Sequence, residues 1–146
     1  MVLNDALMKS KKLSKTPVKI YNAPLFTSKL QAGFPSPADD YIEKNLDLNT
    51  HLISHPSSTF FAHVTGDSMI DACIHHNDLV IVDKSIEAVS GKIVIAVVDG
   101  EFTIKRLKIN AKKELYLNAE NKDYSSIKLT ENSYIWGVVT TVIRQI

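Results

Sequence analysis

From residue 59 onward, apolar residues come in short blocks separated by turn residues. Residues 60–64, 78–83, 92–98, 101–109, 115–118, 127–129 and 134–143 are rich in Val, Ile, Leu and aromatic side chains, the enrichment expected of strands. Residues 78–83 and 92–98 are nearly continuous apolar runs, as buried strands are. Asp99-Gly100, between two such runs, signals a two-residue hairpin. Strands this closely spaced predict a mainly β protein with one compact, curled β-sheet body. Ahead of it, Ser36 as N-cap, Pro37 at the first helical position, and Asp39 and Asp40 in the first turn predict a helix. Ala38, Tyr41, Ile42 and Leu46 would form its apolar stripe. A shorter helical turn restarts at Asp47 or Asn49, runs to His55 and stops before Pro56. Residues 1–24 carry no sustained period and read as a flexible, mostly irregular arm, compatible with a helical turn near residues 3–8. Leu25, Phe26 and Leu30 follow as apolar anchors.

Composition adds bounds. The 146 residues suffice for one domain with a core, and no apolar run approaches the ~20 residues that span a bilayer. The first ten residues lack the apolar stretch of a secretory signal. Cys73 is the one cysteine, so no internal disulfide forms and a cytoplasmic location is expected; as a small core or turn residue it has no partner that argues for a nucleophile. The net charge of +1 hides an asymmetry: residues 1–32 hold six lysines against Asp5 alone, and the remainder carries −4. Those lysines either keep an arm soluble or dock it weakly on the acidic body or on nucleic acid.

Three stretches could carry chemistry. Residues 65–71, Thr-Gly-Asp-Ser-Met-Ile-Asp, follow a predicted strand. Gly66 permits a tight turn, and Ser68 sits where a hydroxyl can project and backbone N–H groups can converge on an oxyanion; a plain polar turn has the same composition. Lys105 shares a strand face with Thr103, Leu107 and Ile109. Its stem either snorkels to water or its amine is desolvated, which lowers its pKa and frees it to accept a proton from a serine hydroxyl. Ala32-Gly33, ahead of Phe34, Pro35 and Pro37, is either a plain linker or a small, extended, accessible bond of the kind a protease cleft accepts. Metal binding is not expected: His75 and His76 are adjacent and point apart, Pro56 ends the turn that carries His51 and His55, and the five histidines show no zinc-type spacing. No phosphate loop, dinucleotide fingerprint or paired-carboxylate motif is present, so no cofactor is expected.

From about residue 24 to the end, the chain resembles the LexA/UmuD family of self-cleaving SOS-response serine peptidases. The matching segments are 32–38 (Ala-Gly-Phe-Pro-Ser-Pro-Ala), 53–57 (Ile-Ser-His-Pro-Ser), 66–71, 78–83 and 98–105, in order along the chain. The intervals also fit, with 37 residues from Ser68 to Lys105 and 35 from Gly33 to Ser68. The resemblance implies a Ser–Lys dyad with Ser68 as nucleophile and Lys105 as general base. It implies an oxyanion hole of backbone N–H groups around Asp67 and Ser68, and Ala32-Gly33 as the scissile bond. Residues 1–32 would then be an arm removed by self-cleavage and residues 33–146 the peptidase-like, dimerising domain. In the family a RecA filament on single-stranded DNA stimulates the cut after DNA damage. The shortened homodimer then joins a UmuC-type Y-family DNA polymerase for error-prone translesion synthesis. The bond departs from the Cys-Gly of the UmuD branch and matches the Ala-Gly of LexA. The arm is longer than usual in that branch, and its first ~20 residues match nothing in it. A LexA-like self-cleaving regulator of damage genes is the alternative, though only 32 residues precede Gly33, too few for a DNA-binding domain. A signal-peptidase-like enzyme acting on other chains fits less well without a membrane anchor. Cleavage in cis and cleavage between the subunits of a dimer are both compatible with these motifs.

Overall fold

The computed structural model describes residues 19–26, 29–35 and 42–146. The chain divides into two compact units, Met1–His51 and Leu52–Ile146. In the first, strand β1 (Ala23–Phe26) pairs antiparallel with β2 (Ile42–Leu46), Ala23 opposite Leu46. Helix α1 (Leu48–Leu52) follows at the junction. The Asp47 carboxylate accepts hydrogen bonds from the Asn49 N–H at 3.0 Å and the Thr50 hydroxyl at 2.7 Å, which starts the helix at Asp47, one of the two expected positions; it ends at Leu52, short of the expected His55.

Two expectations change here. The helix predicted to carry Ile42 and Leu46 does not extend that far. Residues 36–41 lie outside the described residues, and 42–46 form a strand. Helical patterning is a weak preference, and the ladder with β1 supplies backbone partners that override it. Residues 1–18 of the predicted irregular arm also lie outside the described residues, but Ala23 and Pro24 at its end belong to β1. Proline is tolerated there because a two-stranded sheet leaves an N–H side of each strand unpaired.

The second unit is built on one seven-stranded antiparallel sheet. Its strands are β3 (Thr59–His63), β4 (Leu79–Asp83), β5 (Ile93–Val98), β6 (Glu101–Ile109), β7 (Leu115–Asn118), β8 (Ile127–Lys128) and β9 (Ser133–Ile143), in the spatial order β3-β4-β9-β5-β6-β7-β8. The strands fall within a residue or so of the apolar blocks. Asp99 and Gly100 both adopt positive φ, 50° and 82°, the geometry that makes Asp-Gly a favoured hairpin between β5 and β6. β5 is sequestered on both faces. Ile95 belongs to a core with Val64, Met69, Ile74, Val80 and Val82, while Val94 and Ala96 join Leu107, Leu117 and Val138 in another. This two-residue period is what allows a sheet to carry a core on each side.

Two bulges break the pairing of β9. One sets Thr140 against the β4 step Ile81/Val82, and the other sets Trp136 against the β5 step Ile95/Ala96. A bulge re-aims the extra side chain. Trp136 consequently packs on Phe60, with ring centroids 4.9 Å apart, and edge-on to Phe102 at 5.6 Å. Gly137 follows immediately, and a Cβ there would lie 2.7 Å from Val82 Cγ1 and 3.5 Å from the Asp83 carbonyl oxygen. Gly137→Ala is therefore expected to destabilise the protein by about 1–3 kcal/mol through overpacking, read as a lower urea midpoint.

Two buried carboxylates brace the ends of β4. Asp78 accepts from Arg144 Nε at 2.7 Å and Nη2 at 2.5 Å and from the His75 N–H at 2.8 Å. The Arg144 hydrogen bonds hold its pKa down at about 2 against the opposing effect of burial. Asp83 accepts from the Ser85 hydroxyl, the Ser58 hydroxyl and His55 Nδ1, and these bonds, Ser85 foremost, depress its pKa further. Both groups bind protons less readily folded than unfolded. Their contribution is thus complete above the ordinary carboxylate range and is lost as pH falls through the folded values. The thermal midpoint, followed by circular dichroism, is expected to be level from pH 7 to about 5 and to drop steeply between about 4 and 2.

Candidate active site

The end of β3 leads into the turn that carries Ser68. Gly66 sits at φ 86°, a conformation costly to any residue with a Cβ, and its N–H donates to His76 Nδ1 at 3.2 Å. Beyond Ser68 the buried Met69 side chain anchors the turn in the core, and a 3-10 turn, Ile70–Ala72, follows. Cys73 closes that turn in the left-handed region at φ 59° and is exposed, so it is a turn residue as expected. His75 and His76 take different partners: His75 Nδ1 meets Arg144 Nη2, and His76 Nδ1 accepts from the Gly66 N–H.

Lys105 enters from β6. Its cross-strand partner is Val94, and Leu107 on the same strand face is fully buried. The lysine is only 7% exposed, and this burial pushes its pKa below the ordinary lysine value. Nζ lies 2.9 Å from Ser68 Oγ, 2.9 Å from Thr103 Oγ1 and 3.0 Å from the Ile104 carbonyl oxygen. A neutral amine has two N–H donors and one lone pair. The Ile104 carbonyl can only accept, and the Thr103 hydroxyl can accept the second N–H. The lone pair is then left for the hydroxyl of Ser68. Among the described residues no carboxylate pairs with Lys105, so no opposite charge offsets the penalty on its charged form.

Both side chains line a cleft of about 590 Å³. One wall is the aromatic group of Phe60, Phe102 and Trp136 with the Lys84 amine 4.8 Å above the Trp136 ring, and the other is the turn of Gly66, Asp67 and Ser68. Among the described residues the backbone N–H groups of Asp67 and Ser68 have no acceptor. Two unpaired N–H groups beside a serine hydroxyl and a desolvated amine can, in chemical terms, activate that hydroxyl and receive an oxyanion.

The loop after β7 supports the turn, and its Tyr124 also lines the cleft. Asn121 Nδ2 donates to the Asp67 carbonyl oxygen at 3.0 Å, and the Tyr124 hydroxyl donates to Asp67 Oδ1 at 2.5 Å. That bond to the Asp67 carboxylate raises the Tyr124 pKa. Sequence reasoning does not single out Asn121, Tyr124 or Trp136. The partner of Asn121 and Tyr124, Asp67, is more than 50 residues away in the chain, and the Asn/Asp-rich composition of residues 118–123 signals only a turn.

The structure thus brings Ser68, Lys105 and Asp67 together. Ala32 and Gly33 belong to the first unit, in an exposed stretch without regular structure where Leu30 and Phe34 stand 89% and 94% exposed. A Cβ at Gly33 would meet nothing within 4 Å. Among the described residues no helix is long and apolar enough to cross a membrane.

Residues 24–140 match the family described as Peptidase S24-like. The chain is 45% identical over 125 residues to the protein ImpA of Escherichia coli, covering 86% of each chain. It is 47% identical over 123 residues to the protein SamA of Salmonella typhimurium, covering 84% of this chain and 86% of that one. To the LexA repressor of Shewanella woodyi it is 39% identical over 116 residues, covering 77% of this chain and 56% of the repressor.

Proposed function

This chain belongs to the Peptidase S24-like family, and from that premise we propose that it is a serine endopeptidase acting on its own Ala32-Gly33 bond. Ser68 Oγ attacks the Ala32 carbonyl carbon while Lys105 takes the hydroxyl proton. The Asp67 and Ser68 N–H groups hold the oxyanion. Lys105 then returns the proton to the Gly33 nitrogen as the bond breaks, residues 1–32 remain esterified to Ser68, and water releases them. The observation that carries this reading is the 2.9 Å approach of a buried lysine amine to the Ser68 hydroxyl.

The cut separates a basic segment from an acidic remainder, residues 33–146, which we read as the dimerising domain. We assign that processed homodimer to the SOS DNA-damage response, as the accessory subunit of a Y-family polymerase of the UmuC type in translesion synthesis. A RecA filament on single-stranded DNA is the activator, and the cytoplasm is the compartment. Incubation with such a filament and nucleotide should convert the chain to residues 33–146, and that product should co-elute with the polymerase as a dimer. The similarity to a LexA repressor favours a second reading, a regulator of damage genes. A specific gel shift on damage-gene promoter DNA, with no polymerase association, would establish that reading in place of the first.

A further inference from the structure

The Asp67–Ser68 peptide unit is held from the side away from its N–H. Its carbonyl oxygen accepts two hydrogen bonds, from Asn121 Nδ2 at 3.0 Å and from the Ile70 N–H at 3.2 Å. A trans peptide fixes the carbonyl and the following N–H in one plane, pointing in opposite directions. Whatever orients the Asp67 carbonyl therefore orients the Ser68 N–H. The Tyr124 hydroxyl adds a second tether through the Asp67 carboxylate, and the Asp71 N–H donates to the Glu120 carbonyl at 2.8 Å. The same loop is tied to the strand of the base. Arg106, next to Lys105, pairs with Glu120, and its Nη1 donates to the Gly91 carbonyl at 2.7 Å. β7 pairs with β6 from Arg106 opposite Asn118 onward, so the sheet delivers residues 119–124 beneath the turn of Ser68.

We propose that Asn121 and Tyr124 are positioning residues for self-cleavage, holding the Asp67–Ser68 peptide so that the Ser68 N–H meets the developing oxyanion. The proposal rests on the Ser68–Lys105 reading above and adds residues that touch neither the scissile bond nor the base. It separates two roles of one side chain. Asn121 Oδ1 accepts from the Asp123 N–H at 3.0 Å, which shapes its own loop, while Nδ2 reaches Asp67. Asn121→Asp keeps the acceptor and deletes the donor. Tyr124→Phe deletes only the hydroxyl and keeps the ring in the cleft wall.

The test is the self-cleavage rate against pH for wild type, Ser68→Ala, Asn121→Asp and Tyr124→Phe, with thermal midpoints measured alongside. Losing an oxyanion donor outright costs roughly 10²–10³ in rate, so a loosened one is expected to cost about ten-fold or more for Asn121→Asp and somewhat less for Tyr124→Phe. The loss should lie in the high-pH plateau, with the inflection set by Lys105 unmoved and the thermal midpoint little changed. Variants that reach the wild-type plateau overturn the proposal while leaving the dyad standing. A fall that comes with a displaced inflection or a collapsed midpoint assigns the residues a structural role and overturns it as well. A wild type that does not cut itself, or a Ser68→Ala protein that cuts equally well, removes the dyad reading and this inference with it.

Discussion

Ser68→Ala and Lys105→Arg are each expected to abolish self-cleavage and leave the fold intact. Ser68 contributes a hydroxyl to the cleft, while the neighbouring Met69 anchors the turn in the core, so alanine removes the nucleophile with little loss of packing. Lys105→Arg is the sharper test because it retains a cation and most of the apolar stem. A guanidinium effectively never deprotonates, and it has no lone pair to offer Ser68 Oγ. In enzymes of this kind, losing the nucleophile or base lowers the rate by about 10⁴-fold or more, which places both variants at background on a denaturing gel. Circular dichroism spectra matching wild type would exclude misfolding as the cause. A folded Lys105→Arg protein cutting at the wild-type rate would remove Lys105 from the mechanism.

The second large effect is on pH. Burial lowers the Lys105 pKa because the charged amine is penalised and, among the described residues, no carboxylate offsets the cost. The protonated amine has no lone pair, so the active form is the deprotonated one and the rate must rise with pH. Below the inflection each unit of pH should raise it about ten-fold, and the inflection should lie below the ~10.4 of an ordinary lysine. An activator that shifts the population toward the cleft-bound segment would lift the whole profile without moving its inflection. Initial rates in overlapping buffers from pH 6 to 11 give this curve. A flat profile, or an inflection near the histidine range of about 6.5, would point to another base.

Much of this architecture is legible in the sequence because the deciding interactions are local or periodic. Val and Ile runs fix β4 and β5 and Asp99-Gly100 fixes the hairpin, while the strand-face position of Lys105 beside Leu107 leaves snorkelling and burial both open, and the structure buries it. Gly66 announces the sharp turn before Ser68 through its freedom at positive φ. What escapes is settled by partners far along the chain. Residues 42–46 carry a plausible helical stripe and become strand through pairing with residues 23–26. Trp136 reaches the cleft through a bulge that no alternation pattern encodes. Asn121 and Tyr124 reach Asp67 from a loop whose composition speaks only of a turn. The depressed pKa of Asp78 depends on Arg144, 66 residues later.

The central claim is that this chain cuts itself at Ala32-Gly33 through Ser68. Intact-mass spectrometry of purified protein held at about pH 10, with no partner present, tests it directly beside the Ser68→Ala variant. The expected result is two products from wild type, residues 1–32 and residues 33–146, growing together, and an unchanged full-length mass for Ser68→Ala. Cleavage at another bond, or the same products from Ser68→Ala, would contradict it.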